Sequence, residues 1–197
     1  SKHILHSVVY RFCAQKIAPY TKRFYGTLPA RVRFFNDMYK IPTEKIDLLV
    51  MGAEDELVTA AKCAEVRNSI REKYGISEDD FLIMTGGKID AAKKQTLVLM
   101  EAVKQINRKD VKLIVFGSVT SELKLAVESS CWGTTVQYIG WIPSDKSYDH
   151  FAAADLVVFP GRHSVFWEQV VGLGIPMIVK YWDGTTHVDV GGNCDFL

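Results

Sequence analysis

A chain of 197 residues with 48% hydrophobic and 24% charged content can bury one full core and a small second unit. Its 24 basic and 23 acidic side chains leave a net charge of +1, which argues against nucleic acid or any other polyanion as a general partner. Four scattered cysteines, Cys13, Cys63, Cys131 and Cys194, form no Cys-x-x-Cys pair, so the expectation is reduced thiols in a cytoplasmic protein rather than a zinc site or a disulfide framework.

In chain order, Lys2 to Ala18 carries a helical stripe of Ile4, Leu5, Val8, Val9, Phe12 and Cys13, which Pro19 ends. Thr21 to Thr27 reads as a strand closing with Gly26, and Pro29 opens a helix through about Tyr39. Ile46 to Met51 is a short apolar strand stopped by Gly52. Glu54, Asp55 and Glu56 then crowd the front of one long helix to about Tyr74, where acidic groups complement the dipole. Gly75 stops that helix. No run approaches the roughly 18 apolar residues of a membrane span, and no charged, apolar, small-residue series marks a signal peptide. The chain is expected to begin inside a helical pattern and to stop in mid-fold.

From Phe81 onward the alternation is regular. Strands at Phe81–Met84, Lys112–Phe116, Val136–Ile139, Leu156–Phe159 and Met177–Tyr181 alternate with helices at about Ala92–Asn107, Glu122–Ser129, Ser147–Ala154 and Phe166–Leu173. That order predicts an α/β fold, a Rossmann-like doubly wound parallel sheet with helices on both faces. Ligands of such sheets lie beyond the carboxyl ends of the strands. This selects Gly86 to Lys93, Gly117-Ser118, Gly140 to Lys146 and Pro160 to Glu168 as one rim.

The first of these turns carries the strongest local signal. Gly86 and Gly87 permit close backbone approach, and Lys88 and Lys93 can aim ammonium groups at an anion held by the electropositive start of the next helix. The turn lacks Gly-x-Gly-x-x-Gly, and no acidic residue closes the second strand, which disfavours a nicotinamide dehydrogenase. The phosphate loop of nucleoside triphosphatases is absent too.

Gly86-Gly87-Lys88-Ile89-Asp90 with Lys93, Leu113 to Gly117, Gly140-Trp141-Ile142, Ala154 to Pro160, and Glu168-Gln169 before Gly174-Ile175-Pro176 come in the order found in retaining GT-B glycosyltransferases. The chain resembles that family from about Ile41 to its end, which corresponds to the nucleotide-sugar-binding domain; residues 1–40 resemble the end of the acceptor domain and the crossing between the two. The resemblance implies transfer from a UDP- or GDP-sugar to a carbohydrate or lipid-linked acceptor, with retention and without a metal or other cofactor. It also implies peripheral membrane association through the rest of the acceptor domain and a role in bacterial polysaccharide synthesis, with the chain by itself inactive in transfer. In this reading Lys88 and Lys93 hold the donor diphosphate together with backbone N–H groups near Ser164 and Val165. Glu168 binds the ribose, and Trp141 and Ile142 flank the base.

Two positions depart from the family pattern. Counting back from Gly174-Ile175-Pro176 puts Gln169, not Glu168, where the ribose glutamate stands, and Gly161 where a sugar-contacting glutamate stands. Either Glu168 serves from one residue out of step or Gln169 contacts the ribose through its amide, with Arg162 or His163 partly replacing the missing carboxylate. Lys88 stands in place of the usual arginine, keeping the charge and losing the bidentate fork.

Simpler readings stand beside these. His163-Ser164 lacks a third group to orient a nucleophile pair, and Ser164 suits a helix cap. His187-x-Asp189 offers two metal ligands, too few for a site, and reads as a polar loop near the donor pocket. A GT-B nucleotide-sugar epimerase or hydrolase, or a non-catalytic partner-binding domain, remains the alternative to a transferase.

Overall fold

A computed structural model describes residues 4–197, so the expected start of the first helix at Lys2 lies outside the described residues. The chain divides into two compact units, one of residues 1–51 with 182–187 and the other of residues 52–181 with 188–197. The boundary falls after Met51 rather than at residue 40, and the loop after the last expected strand belongs to the first unit.

In the first unit a π-helical turn, Leu5–Tyr10, runs into helix α1, Arg11–Ile17, and Pro19 ends it within a 3-10 turn. Strand β1, Phe24–Gly26, helix α2, Pro29–Tyr39, and strand β2, Ile46–Leu48, follow. β2 pairs in parallel with β1. This pairing keeps Ile46–Leu48 apart from the larger sheet. Ala14, Ile41 and Ile46 form a small core with Phe24, Val32 and Phe35.

The second unit opens with two helices, α3, Asp55–Ala61, and α4, Ala64–Lys73, where the sequence predicts one. Extended backbone at Cys63 breaks the run. The break re-aims α4 so that Arg67 and Arg71 reach the carbonyls of Ala152 to Ala154 and the carboxylate of Asp155. The alternation then proceeds through β3 (Phe81–Gly86), α5 (Gln95–Ile106), β4 (Val111–Phe116), α6 (Ser121–Ser130), β5 (Val136–Tyr138), α7 (Lys146–Ala152), β6 (Leu156–Phe159), α8 (Phe166–Leu173), β7 (Met177–Val179) and β8 (Cys194–Phe196). The sixth strand, β8, lies in a stretch that carries too few apolar residues to be read as one.

All six strands are parallel, in the order β5-β4-β3-β6-β7-β8. Successive side chains point to opposite faces. Leu82, Met84, Ile114 and Phe116 pack with Phe151 and Trp167 of α7 and α8, while Ile83, Leu113 and Val115 pack with Met100 and Val103 of α5. Burial on both faces is why these strands read as unbroken apolar runs. From β3 the chain winds outward through β4 to β5, then returns to lay β6 on the other side of β3. The reversal leaves a crevice above the carboxyl ends of β3 and β6, where the two following loops diverge. Among the described residues no helix is long and apolar enough to cross a membrane.

Candidate functional site

The crevice is a cleft of about 340 Å³, counting its open mouth, and both diverging loops line it. The β3 loop contributes Gly86, Gly87, Lys88 and Lys93; the β6 loop contributes Gly161, Arg162 and Ser164.

Glycine is required here by crowding. A Cβ on Gly86 would lie 2.4 Å from the Phe116 ring, and one on Gly117 would lie 1.9 Å from the Gly87 carbonyl oxygen. Gly87 and Gly117 also adopt φ of +128°, a conformation that side-chain-bearing residues rarely accept. The loops after β3 and β4 therefore touch backbone to backbone. Their contact is fastened where Gly87 N–H donates to the Phe116 carbonyl at 3.0 Å, and Gly117 N–H ties the β4 loop to the loop after β5 by donating to the Gly140 carbonyl at 2.7 Å.

Asp90 organises the rest of the β3 loop. Its side chain accepts from Ala92 N–H at 2.9 Å and its carbonyl from Lys93 N–H at 2.9 Å, closing a single 3-10 turn, Ala91–Lys93. The long helix begins only at Gln95, three residues later than expected, and the first N–H groups after the turn are spent on Asp90 rather than presented to the cleft. The turn instead positions Lys93. Its Nζ comes within 3.9 Å of the point where a Cβ on Gly87 would sit, placing the ammonium over the glycine turn. Burial pulls its pKa below the usual lysine value, and the nearby Asp90 charge only partly opposes this. Lys88 lines the same cleft, is largely exposed, and pairs loosely with Asp90 at 3.6 Å.

On the opposite wall Ser164 caps α8, its Oγ accepting from Phe166 N–H at 3.4 Å. Among the described residues, the N–H groups of Ser164 and Val165 donate to no protein acceptor. They mark the electropositive end of that helix.

Several expected residues do not reach the cleft. Glu168 is buried, and its Oε1 meets His163 Nε2 at 2.8 Å; the imidazole in turn packs edge-on against Trp167 with ring centroids 5.0 Å apart. A carboxylate held this way braces the loop from beneath. Gln169 is half-buried beside Ser147, whose Oγ lies 2.7 Å from the amide oxygen and 2.6 Å from the Ser144 carbonyl. Trp141 is 69% exposed on the loop after β5, and Ile142 packs into the core beside it. Conversely, Thr85 and Thr96 place buried polar side chains in the cleft wall that no motif had flagged. Thr85 directly precedes the glycine pair, and that position was its only sequence signal.

The family model for glycosyl transferases group 1 matches residues 80–180, which is 101 of the 197 residues and takes in the whole cleft. The chain belongs to the group 1 glycosyltransferases. This glycosyltransferase chain is 20% identical over 158 residues to an uncharacterized glycosyltransferase of Methanocaldococcus jannaschii, covering 77% of the chain and 40% of that protein. Among solved structures it is similar to Anabaena HepE in complex with UDP and glucose, with a TM-score of 0.73 and 15% identity over 100% of the chain and 55% of HepE. It is also similar to WaaG, a glycosyltransferase involved in lipopolysaccharide biosynthesis, with a TM-score of 0.71 and 18% identity over 100% of the chain and 56% of WaaG. The fold is that of a GT-B Rossmann-like domain, as the sequence resemblance implied. The chain spans about half the length of these solved relatives and 40% of the curated one.

Proposed function

We propose that the cleft holds the diphosphate of a nucleotide-sugar donor and that the protein transfers the sugar to a carbohydrate or lipid-linked acceptor. One observation carries the reading: Lys88 and Lys93 line the same cleft as the start of α8, above a glycine turn that leaves room for a ligand. A pyrophosphate needs positive charge on its bridging and terminal oxygens, and needs it most as the sugar departs and negative charge accumulates on the leaving group. A desolvated ammonium and a helix N-terminus supply that charge without reorganising. In this reading no divalent cation is required, and transfer proceeds with retention, as in the family the sequence resembles. The UDP and glucose bound to HepE support the donor class.

In this reading the bond of Glu168 to His163 braces the β6 loop that carries Arg162 and Ser164.

Calorimetric titration with UDP and GDP tests the proposal. Wild type binds one of them, in the presence of a chelator, and Lys93→Ala weakens that binding by about tenfold or more through loss of a charge-assisted contact. Absence of nucleoside diphosphate binding in wild type, or equal affinity in Lys93→Ala, overturns it.

A further inference from the structure

The cleft holds three cations, and they are not equivalent. Lys88 is mostly exposed and shares its charge with Asp90. Lys93 is half-buried and committed to the space over Gly87. Arg162 is exposed at the mouth, and among the described residues its guanidinium has no carboxylate, carbonyl or aromatic partner. Elsewhere in the same unit arginines are bound: Arg67 and Arg71 to Asp155, Arg108 to Asp110.

The loop backbone explains how Arg162 arrives there. β6 ends at Phe159, and Pro160 turns the chain over the cleft. A Cβ on Gly161 would lie 3.4 Å from Lys93 Cγ, so the loop is laid directly against the stem of Lys93, and the next residue lines the same cleft. Beneath, the His163–Glu168 bond at 2.8 Å pins the following turn. A long cationic side chain is thus mounted on a braced loop, at a point where no carboxylate among the described residues neutralises it.

Arg162 is also the one planar fork among the cleft-lining side chains. Lysine offers a point charge, whereas guanidinium can meet two phosphate oxygens at once. We propose that Arg162 is a donor-binding residue that clamps the diphosphate bidentately, supplying the fork geometry that Lys88 cannot. The inference rests on the donor-site reading above and extends it: preference for a nucleoside diphosphate over the monophosphate resides in Arg162 together with Lys93.

The test titrates wild type, Arg162→Ala and Arg162→Lys with whichever of UDP or GDP wild type binds, and with the matching monophosphate. Arg162→Ala weakens the diphosphate at least about tenfold and the monophosphate little. Arg162→Lys recovers only part of the loss. Melting temperatures equal to wild type show that neither variant has altered the fold. The clamp is overturned if Arg162→Ala binds the diphosphate as tightly as wild type, if it weakens both nucleotides equally, or if Arg162→Lys binds as wild type does. Wild type failing to bind any diphosphate overturns the donor site itself, a result distinguishable from the other three.

Discussion

The two ends of the parallel sheet use the same kinds of charge in opposite ways. At the amino end Arg71 is buried, and its guanidinium meets the Ala153, Ser77 and Asp80 carbonyls at 3.1, 2.6 and 2.5 Å as well as Asp155. Arg67 meets the other Asp155 oxygen at 2.6 Å, and Leu82 N–H donates to the same carboxylate at 2.7 Å. At the carboxyl end, among the described residues, Lys93 and Arg162 have no carboxylate within ion-pair distance, and Lys88 has its loose contact with Asp90. A buried cation must be paired and hydrogen-bonded to be tolerated. Cations left uncompensated around a cleft are tolerated only with water or a ligand in it. The contrast separates a structural staple from a binding site without reference to any relative.

The largest expected effect breaks the staple. Arg71→Ala removes a donor to three carbonyls and one of the three donors to Asp155, and should cost about 3 kcal/mol, since Arg67 remains on the carboxylate. Chemical denaturation measures the loss, and nucleoside diphosphate titration of the folded protein should show wild-type affinity. A variant that stayed stable but lost nucleotide binding would show that the amino end is not purely structural.

A smaller effect sharpens the comparison through pH. Burial alone would raise the pKa of Asp155, but the Leu82 N–H and the Arg67 and Arg71 charges outweigh it and hold the carboxyl below the usual 3.8. A carboxyl depressed in the folded state adds stability that is fully present above its unfolded value and is lost as pH falls through the folded one. Asp155→Asn should therefore cost about 2 kcal/mol near neutrality, the worth of charge-assisted hydrogen bonds. The gap between variant and wild type should close below about pH 3.8, where the wild-type carboxyl takes up its proton. Denaturation curves at several pH values check this, and a gap that widened toward acid would mean the cage does not stabilise the ionised form.

This contrast was only half legible in the sequence. The sheet could be read because strands buried on both faces are apolar throughout, and the glycine turn because Gly86-Gly87 followed by lysine is a short-range pattern. The staple could not: Arg67 and Arg71 look like ordinary helix-surface residues until the break at Cys63 turns α4 toward Asp155, which lies 88 and 84 positions from them along the chain. β8 was missed because Cys-Asp-Phe carries too little apolar signal to mark a strand. The bond of Glu168 to His163 was hidden for a related reason. Its position in sequence fits a ligand-facing helix start, but helical rotation turns it inward to His163 while Gln169 takes the neighbouring face.

The smallest effect reverses the sign usual for deleting a charge. Burial lowers the Lys93 pKa, so the ammonium is less favourable in the folded protein than in the unfolded chain. For a base depressed in this way the folded state carries a cost at neutral pH, which is relieved as pH rises through the folded value toward 10.5. Lys93→Met keeps the apolar stem that packs beside Gly161 and discards the desolvated charge. It should leave the melting temperature unchanged or slightly raised, while nucleoside diphosphate affinity falls. The same deletion at the staple lowers stability and spares binding. If Lys93→Met destabilised the protein as Arg71→Ala does, the ammonium would have structural partners after all, and the distinction between the two ends of the sheet would fail at its most exposed point.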